Sequence, residues 1–255
     1  MTSIIDTFNQ SQVDQAFAET LKRMLINKRL SPQEKTHAYL LGGQSGAGKS
    51  ALHRILGSHL EGNVVVVNGD EYRKSHPHFD AIQEQYGVDA PSHTAKWAGQ
   101  ITEALVDAFS TQSYNLIIEG TLRTSEVPLS TATLLRKRGY SVSLALMAVK
   151  PEISLISCQI RYEMMRIAGT TPRATDPEHH NMIVHDIVNN LGTLEASGLF
   201  DEILIYNRAG RLLFPTEGSS SAVAVLENVL FGPWTSEEET HYQRLKQRLD
   251  ELKQQ

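Results

Sequence analysis

Lys49 and Ser50 close the run Gly43-Gln44-Ser45-Gly46-Ala47-Gly48-Lys49-Ser50, which has the spacing G-x-x-x-x-G-K-[ST]. A run of this kind cradles the phosphates of a nucleoside triphosphate. Its glycines turn the backbone tightly and bring N–H groups onto phosphate oxygens. The lysine reaches the β- and γ-phosphates and the hydroxyl ligates Mg²⁺. A helix beginning at the end of the run adds favourable dipole charge. All eight residues are thus expected to bind the triphosphate, with Ser50 as the metal ligand.

Further along, three places carry polar groups where chemistry could occur. In Asn68-Gly69-Asp70 the carboxylate of Asp70 has two possible jobs. It could take a proton from an attacking hydroxyl, if its strand neighbours that of the phosphate loop, or it could cap the helix that follows. In Glu119-Gly120-Thr121-Leu122-Arg123 an extended chain would point Glu119, Thr121 and Arg123 the same way. Such a rim suits a polyhydroxylated, phosphorylated substrate; Glu119 could also organise Mg²⁺, and Arg123 could equally pair with a surface acid. Arg161 and Arg173 bracket a stretch containing Pro172, and arginines on a closing segment can stabilise a transferring phosphoryl group. Either could also be a surface residue. His76, His78, His179, His180 and His185 match no strong zinc spacing and read as solvated or capping.

The elements needed to position these groups follow from periodicity. Val13, Phe17, Leu21, Met24 and Leu25 predict an amphipathic helix over 11–28. Strands are predicted at 38–41, 63–67, 115–119, 141–149 and 203–206. Helices are predicted after the phosphate run and at 92–111, 127–138, 152–168 and 178–197. Strands alternating with helices imply a mostly parallel sheet covered on both faces, with ligands at the carboxyl ends of the strands. The expected fold class is α/β, a P-loop kinase fold. It is expected as a single domain over 1–255, with a core at about 36–215 and C-terminal helices at about 219–254. The stretch 168–177 reads as a mobile loop and 215–221 as a surface turn. Thr235-x-x-Glu238 or Ser236-x-x-Glu239 opens a final helix by a capping box, and Tyr242, Leu245, Leu249 and Leu252 form one stripe on it. That stripe is expected to pack on its own domain rather than on a partner.

Composition narrows the class further. The chain has 255 residues, 40% of them hydrophobic, which is enough to bury a full core. A net charge of -5 gives no overall basic signature for nucleic acid. Cys158 is the only cysteine, so no disulfide forms within the chain. Residues 1–30 lack a signal-peptide core, and no apolar run approaches the roughly 20 residues needed to cross a bilayer. The expectation is a cytoplasmic protein with no membrane and no nucleic-acid partner.

The order Gly-Gly-Gln-Ser-Gly-Ala-Gly-Lys-Ser, Gly-Asp-Glu-Tyr-Arg, His-Pro-His-Phe, Ile-Glu-Gly-Thr-Leu-Arg-Thr, Ile-Arg-Tyr-Glu and Arg-Ala-Thr resembles the zeta toxins of bacterial toxin–antitoxin systems. The resemblance runs from about residue 38 to about 210. It implies a kinase that moves the γ-phosphate of ATP, with Mg²⁺, to the 3′-hydroxyl of the sugar of UDP-N-acetylglucosamine, a dead end for cell-wall synthesis. It also implies a separate small helical antitoxin. By this resemblance Lys49 and Ser50 take the nucleotide and Mg²⁺ positions, and Asp70 is the catalytic base. Glu103, Glu119, Thr121, Arg123 and Thr131 contact the sugar nucleotide, while Arg161 and Arg173 stabilise the transferring group. The family usually has an acid two residues before the base, where this chain has Asn68, so Asn68 is assigned no metal. Two other functions fit the same residues. One is an O-kinase for another small molecule, such as an antibiotic or a nucleoside; the other is a nucleotide-binding partner protein without catalysis.

Overall fold

The computed structural model describes residues 4–26, 35–218 and 221–255. Helix α1 (Gln10–Ile26) precedes β1 (His37–Gly42), which feeds through the glycine run into α2 (Ser50–His59). Strand β2 (Val65–Asn68) leads into the short helices α3 (Gly69–Tyr72), α4 (Phe79–Tyr86) and α5 (Ala90–His93), then the long α6 (Ala95–Thr111). There follow β3 (Leu116–Glu119), α7 (Glu126–Lys137), β4 (Ser141–Ala148), α8 (Pro151–Ile167), α9 (Pro177–Ala196) and β5 (Glu202–Asn207). The chain closes with β6 (Leu212–Phe214), α10 (Ala222–Phe231) and α11 (Ser236–Lys253).

The six strands form one sheet in the order β2-β3-β1-β4-β5-β6, parallel except for β6, which pairs antiparallel to β5. The neighbours of β1 are β3 and β4, so the condition set for Asp70, that its strand adjoin that of the loop, is not met. It is Glu119, at the end of β3, that stands one strand from the loop. Asp70 stands two strands away.

Side chains alternate between the two faces of the sheet as strand geometry demands. Ala38, Leu40, Val65, Val67, Leu144 and Leu146 face one core, shared with Val13 of α1, Ile101 and Leu105 of α6, Leu135 of α7 and Leu191 of α9. Tyr39, Leu41, Ile117, Ala145 and Met147 face the other, closed by Leu52 and Leu56 of α2 and Ile153 of α8. Helix α11 lies against α8: its stripe buries Leu249 and Leu252, and Tyr242 and Leu245 pack partly buried on the second core. The capping box at its start is complete, with Thr235 and Glu238 each bonding the other's backbone N–H. The stripe therefore serves its own fold, as expected.

The expected strands and long helices are present with no end moved by more than three residues. Periodicity did not announce α3, α4, α5 or β6, each of which is short. The 27–28 end of the first predicted helix, and residues 219–220, lie outside the described residues.

Candidate functional site

The glycine run sits at the carboxyl end of central strand β1. Gly43, Gly46 and Gly48 have φ of 132°, 78° and 97°, backbone that only glycine adopts at low cost. Gly46 is also fixed by packing: a Cβ there would run into the carbonyl oxygen of Ser154 on α8. The loop is thus pressed against α8 and turned so that its interior is lined by backbone. Lys49 is buried inside it and donates from Nζ to the carbonyls of Gly43 (2.8 Å) and Gln44 (3.3 Å). Ser50, the first residue of α2, is exposed.

Gln44 connects the loop to a buried polar chain. Its amide donates to the carbonyl of Val149 (2.9 Å) and to Ser154 Oγ (3.1 Å), and Ser154 Oγ lies 2.9 Å from His180 Nε2. Ser154 gives its own proton to the carbonyl of Pro151 (2.8 Å), so His180 must be the donor to it. The expectation of solvated or capping histidines holds for His78, His179 and His185, which are exposed, and is corrected for the other two. His180 is 1% exposed, and His76 is buried as well, beside Trp97. Burial lowers the pKa of both, and Asn181 partly offsets the effect at His180.

Around Lys49 the charged candidates converge. Burial lowers its pKa; Glu119, Asp70 and Cys158 oppose that fall, and Arg161 adds to it. Those charges therefore lie close enough to act on the ammonium. The Asp70 carboxyl is subject to burial, which raises its pKa, but the hydrogen bond and charge of Arg73 outweigh that, helped by Arg173 and Lys49. The net direction is downward. Asp70 therefore stays ionised at neutral pH, crowded by neighbouring groups yet with its side chain 58% exposed.

The capping role left open for Asp70 belongs to Asn68, whose side chain accepts the N–H of Asp70 (3.1 Å) at the start of α3. An amide caps there as well as a carboxylate would. Asp70 instead accepts from Arg73 Nε at 2.8 Å, and Arg73 is itself anchored on Thr94 (3.0 Å) and the carbonyl of Pro91.

The rim past β3 departs from the extended geometry expected of it. The strand ends at Glu119, and Leu122 takes φ of 56°, uncommon for a residue with a branched side chain. That turn drives Leu122 inward against Gly42, where a Cβ would collide with it, and Asn190 of α9 donates to the Leu122 carbonyl (2.8 Å). Alternation thus stops before Arg123, which is exposed. Glu119 Oε2 comes within 2.9 Å of His53 Nε2 on α2, near enough for charge pairing though off the direction of a hydrogen bond. Thr121 and Thr131 are half-buried, the latter on α7, and Glu103 is exposed on α6 beside Thr102, which packs on Gly69. Asp70, Glu119 and Arg161 therefore lie within electrostatic reach of Lys49, and Arg173 within reach of Asp70, while Glu103 and Arg123 are exposed and Thr131 is half-buried on α7.

Three residues near the loop were not singled out from sequence. Arg73 is recoverable, since it lies three residues after Asp70 on a helix. Arg208, the first residue past β5, satisfies the rule of inspecting strand ends. It lies against Gly48 and donates to Ser157 Oγ at 2.7 Å. His180 carries no such signal, because only tertiary packing buries it.

Among the described residues no group of three or more His, Cys, Asp or Glu could hold a metal by itself. Mg²⁺ needs none, since it keeps waters and takes substrate phosphates with one or two protein oxygens, and the exposed Ser50 hydroxyl fits that use. No helix among the described residues is long and apolar enough to cross a membrane.

Comparison with known proteins gives a consistent family. The zeta toxin family profile matches residues 22–219. The toxin PezT of Streptococcus pneumoniae serotype 4 is 43% identical over 250 residues, covering 97% of this chain and 98% of that protein. The toxin zeta of Streptococcus pyogenes is 36% identical over 215 residues, 84% of this chain and 74% of that protein. A solved structure from the PezAT chromosomal toxin–antitoxin system of Streptococcus pneumoniae superposes with a TM-score of 0.87 at 38% identity, covering 99% of this chain and 100% of the other.

Proposed function

This chain belongs to the zeta toxin family, and we propose that it is a kinase moving the γ-phosphoryl group of ATP to the 3′-hydroxyl of the sugar of UDP-N-acetylglucosamine. One observation carries the catalytic part: an exposed, ionised carboxylate, Asp70, lies within the field of both the loop lysine and Arg173. In the step, the acceptor oxygen bonds to the γ-phosphorus as the bond from that phosphorus to the β-phosphate oxygen breaks. The hydroxyl proton passes to Asp70 and ADP leaves.

Lys49 exchanges the loop carbonyls of Gly43 and Gln44 for phosphate oxygens. Arg161 and Arg173 neutralise charge on the transferring group, while Arg73 holds Asp70 in its rotamer. Ser50 would hold Mg²⁺, which would supply charge neutralisation to the triphosphate. Glu103, Glu119, Thr121, Arg123 and Thr131 position the sugar nucleotide from the strand rim and from α6 and α7.

Mass spectrometry of UDP-N-acetylglucosamine after incubation with Mg²⁺-ATP and the protein tests the reaction. A gain of one phosphoryl group is expected; ADP release without it would move the acceptor to another small molecule. A separate small helical antitoxin is proposed to hold the enzyme silent. Expression of this chain alone is expected to arrest growth, and the Lys49→Ala form to be tolerated. Equal tolerance at equal protein levels would remove the toxin role.

A further inference from the structure

Three stretches of chain far apart in sequence meet at one hydroxyl. Ser154 Oγ has one proton and two lone pairs. The proton goes to the carbonyl of Pro151, and the lone pairs accept from the Gln44 amide and from His180 Nε2. Gln44 belongs to the phosphate loop, Ser154 to the first turn of α8 and His180 to the first turn of α9. All three are buried, where a polar group left without its partner is costly.

The chain that leaves Ser154 and returns at His180 carries both arginines of the proposed transfer. Ser154, Cys158 and Arg161 stand at i, i+4 and i+7 on α8 and so share one side of it. The first two press on the loop, since a Cβ on Gly46 would meet the Ser154 carbonyl oxygen and Cys158 Sγ. Arg161 is next in that row and within electrostatic reach of Lys49. Arg173 lies between the two helices, seven residues before His180 and within reach of Asp70. Among the described residues, no hydrogen bond holds 171–175. Arg173 therefore takes its place from the helices on either side. At the nearer one, Asp176 caps α9 and its carbonyl receives the N–H of His180 (2.9 Å). A misplacement of about 1 Å at a reacting centre can cost on the order of 10²-fold in rate.

We propose that Ser154 and His180 are positioning residues for the two arginines: they pin the starts of α8 and α9 to Gln44 of the phosphate loop, and so set Arg161 and Arg173 over the transferring group. The inference rests on the kinase reading above and deepens it.

The test is a double-mutant cycle on the full chain, with kcat for phosphorylation of UDP-N-acetylglucosamine, KM for ATP and melting temperature measured on each variant. His180→Leu removes the donor to Ser154 and is expected to lower kcat at least about fivefold, with KM for ATP within about threefold. In an Arg173→Ala background the same change should cost less than about twofold, because the group it positions is gone. His180→Gln, whose amide reaches where Nε2 stood, should return kcat to within about twofold of the parent. Ser154→Ala releases both helix starts and should lower kcat at least as far as His180→Leu. If His180→Leu does not fold, Ser154→Ala replaces it in the cycle, against Arg161→Ala combined with Arg173→Ala. An equal loss of kcat in the two backgrounds would overturn the proposal. So would normal turnover with only the melting temperature lowered, or a His180→Gln form as slow as His180→Leu. If the parent leaves UDP-N-acetylglucosamine unphosphorylated, the acceptor reading falls and the cycle is read on release of ADP, which draws on the same arginines. A parent that does neither ends the kinase reading and this inference with it.

Discussion

The two halves of the site are built differently. On the donor side every glycine-run residue from Gly43 to Lys49 is buried or half-buried, the turn is locked by positive-φ glycines, and Gln44 is tied through Ser154 to His180. On the proposed acceptor side Asp70, Glu103 and Arg123 are exposed, Glu119, Thr121 and Thr131 are half-buried, and they come from several separate elements. A triphosphate is the same in every reaction, so its cradle can be rigid before the ligand arrives. In the proposed reaction an acceptor sugar has to enter, react and leave, and most of the groups proposed to meet it keep some exposure to solvent. The donor half spends its interactions on a fixed shape; the acceptor half keeps its charges available.

Four changes would break or sharpen that contrast. The largest effect is expected at Asp70. Asp70→Asn keeps shape and hydrogen-bonding capacity but removes the base, so kcat should fall by about 10²–10⁴-fold. ATP and acceptor binding should stay within a few-fold, and the cap on α3 is unaffected because Asn68 makes it. Turnover within threefold of the parent would take Asp70 out of the chemistry.

Next come Arg161→Ala and Arg173→Ala. Arginine stabilisation of a phosphoryl transition state can reach about 10³-fold, and at least a tenfold loss in kcat is expected of each, with smaller effects on nucleotide affinity. A lowered melting temperature with normal turnover per folded molecule would make either arginine structural.

Gly46→Ala probes the rigidity of the donor half. Its Cβ meets backbone of Ser154, which cannot swing aside, and the backbone angle is unfavourable for alanine. A destabilisation of about 1–3 kcal/mol is expected in denaturant titration, with triphosphate binding reduced as well. Unchanged stability would show the loop to be more pliant than its packing implies.

The smallest effect is a dependence on pH. His37, His76, His180 and His241 all have folded pKa values lowered, burial being the main cause in each. The unfolded chain therefore binds more protons than the folded one once pH drops below about 6.5. Stability should be full above that value and decline as pH falls from it toward the lowered folded values. His180→Gln should flatten the decline measured as melting temperature between pH 7.5 and 5.5. An identical slope in parent and variant would show that His180 is not held neutral.

How legible the molecule was in its sequence follows the same division. The glycine run carries its reason in local geometry, so its place after β1 and before α2 could be read directly. The buried strands gave themselves away as short apolar runs, β-branched in the case of 63–67. Strand order did not, because hydrophobic pattern says nothing of which strand lies beside which; β3 enters between β1 and β2, and with it Glu119 displaces Asp70 as the carboxylate one strand from the loop. Leu122 could not be anticipated either, since a leucine at positive φ contradicts its own local preference and is held by Gly42 and Asn190 from elsewhere. Asn68 hid in plain view: it departs from the family's usual acid, and its use as a helix cap emerges only once α3 is seen to begin at Gly69.

The seating of α11 on α8 has a bearing on the order in which the protein matures. Arg166 of α8 donates to the carbonyl of Leu252, 86 residues further along the chain. At roughly 5–20 residues per second of synthesis, α8 and its Arg161 wait on the order of 4–17 s before the residues that cover them have been made. The phosphate loop and β1 to β4 are all complete before then. A growing chain thus has the residues of its glycine cradle and of α8 in place well before those of α11 that come to cover α8.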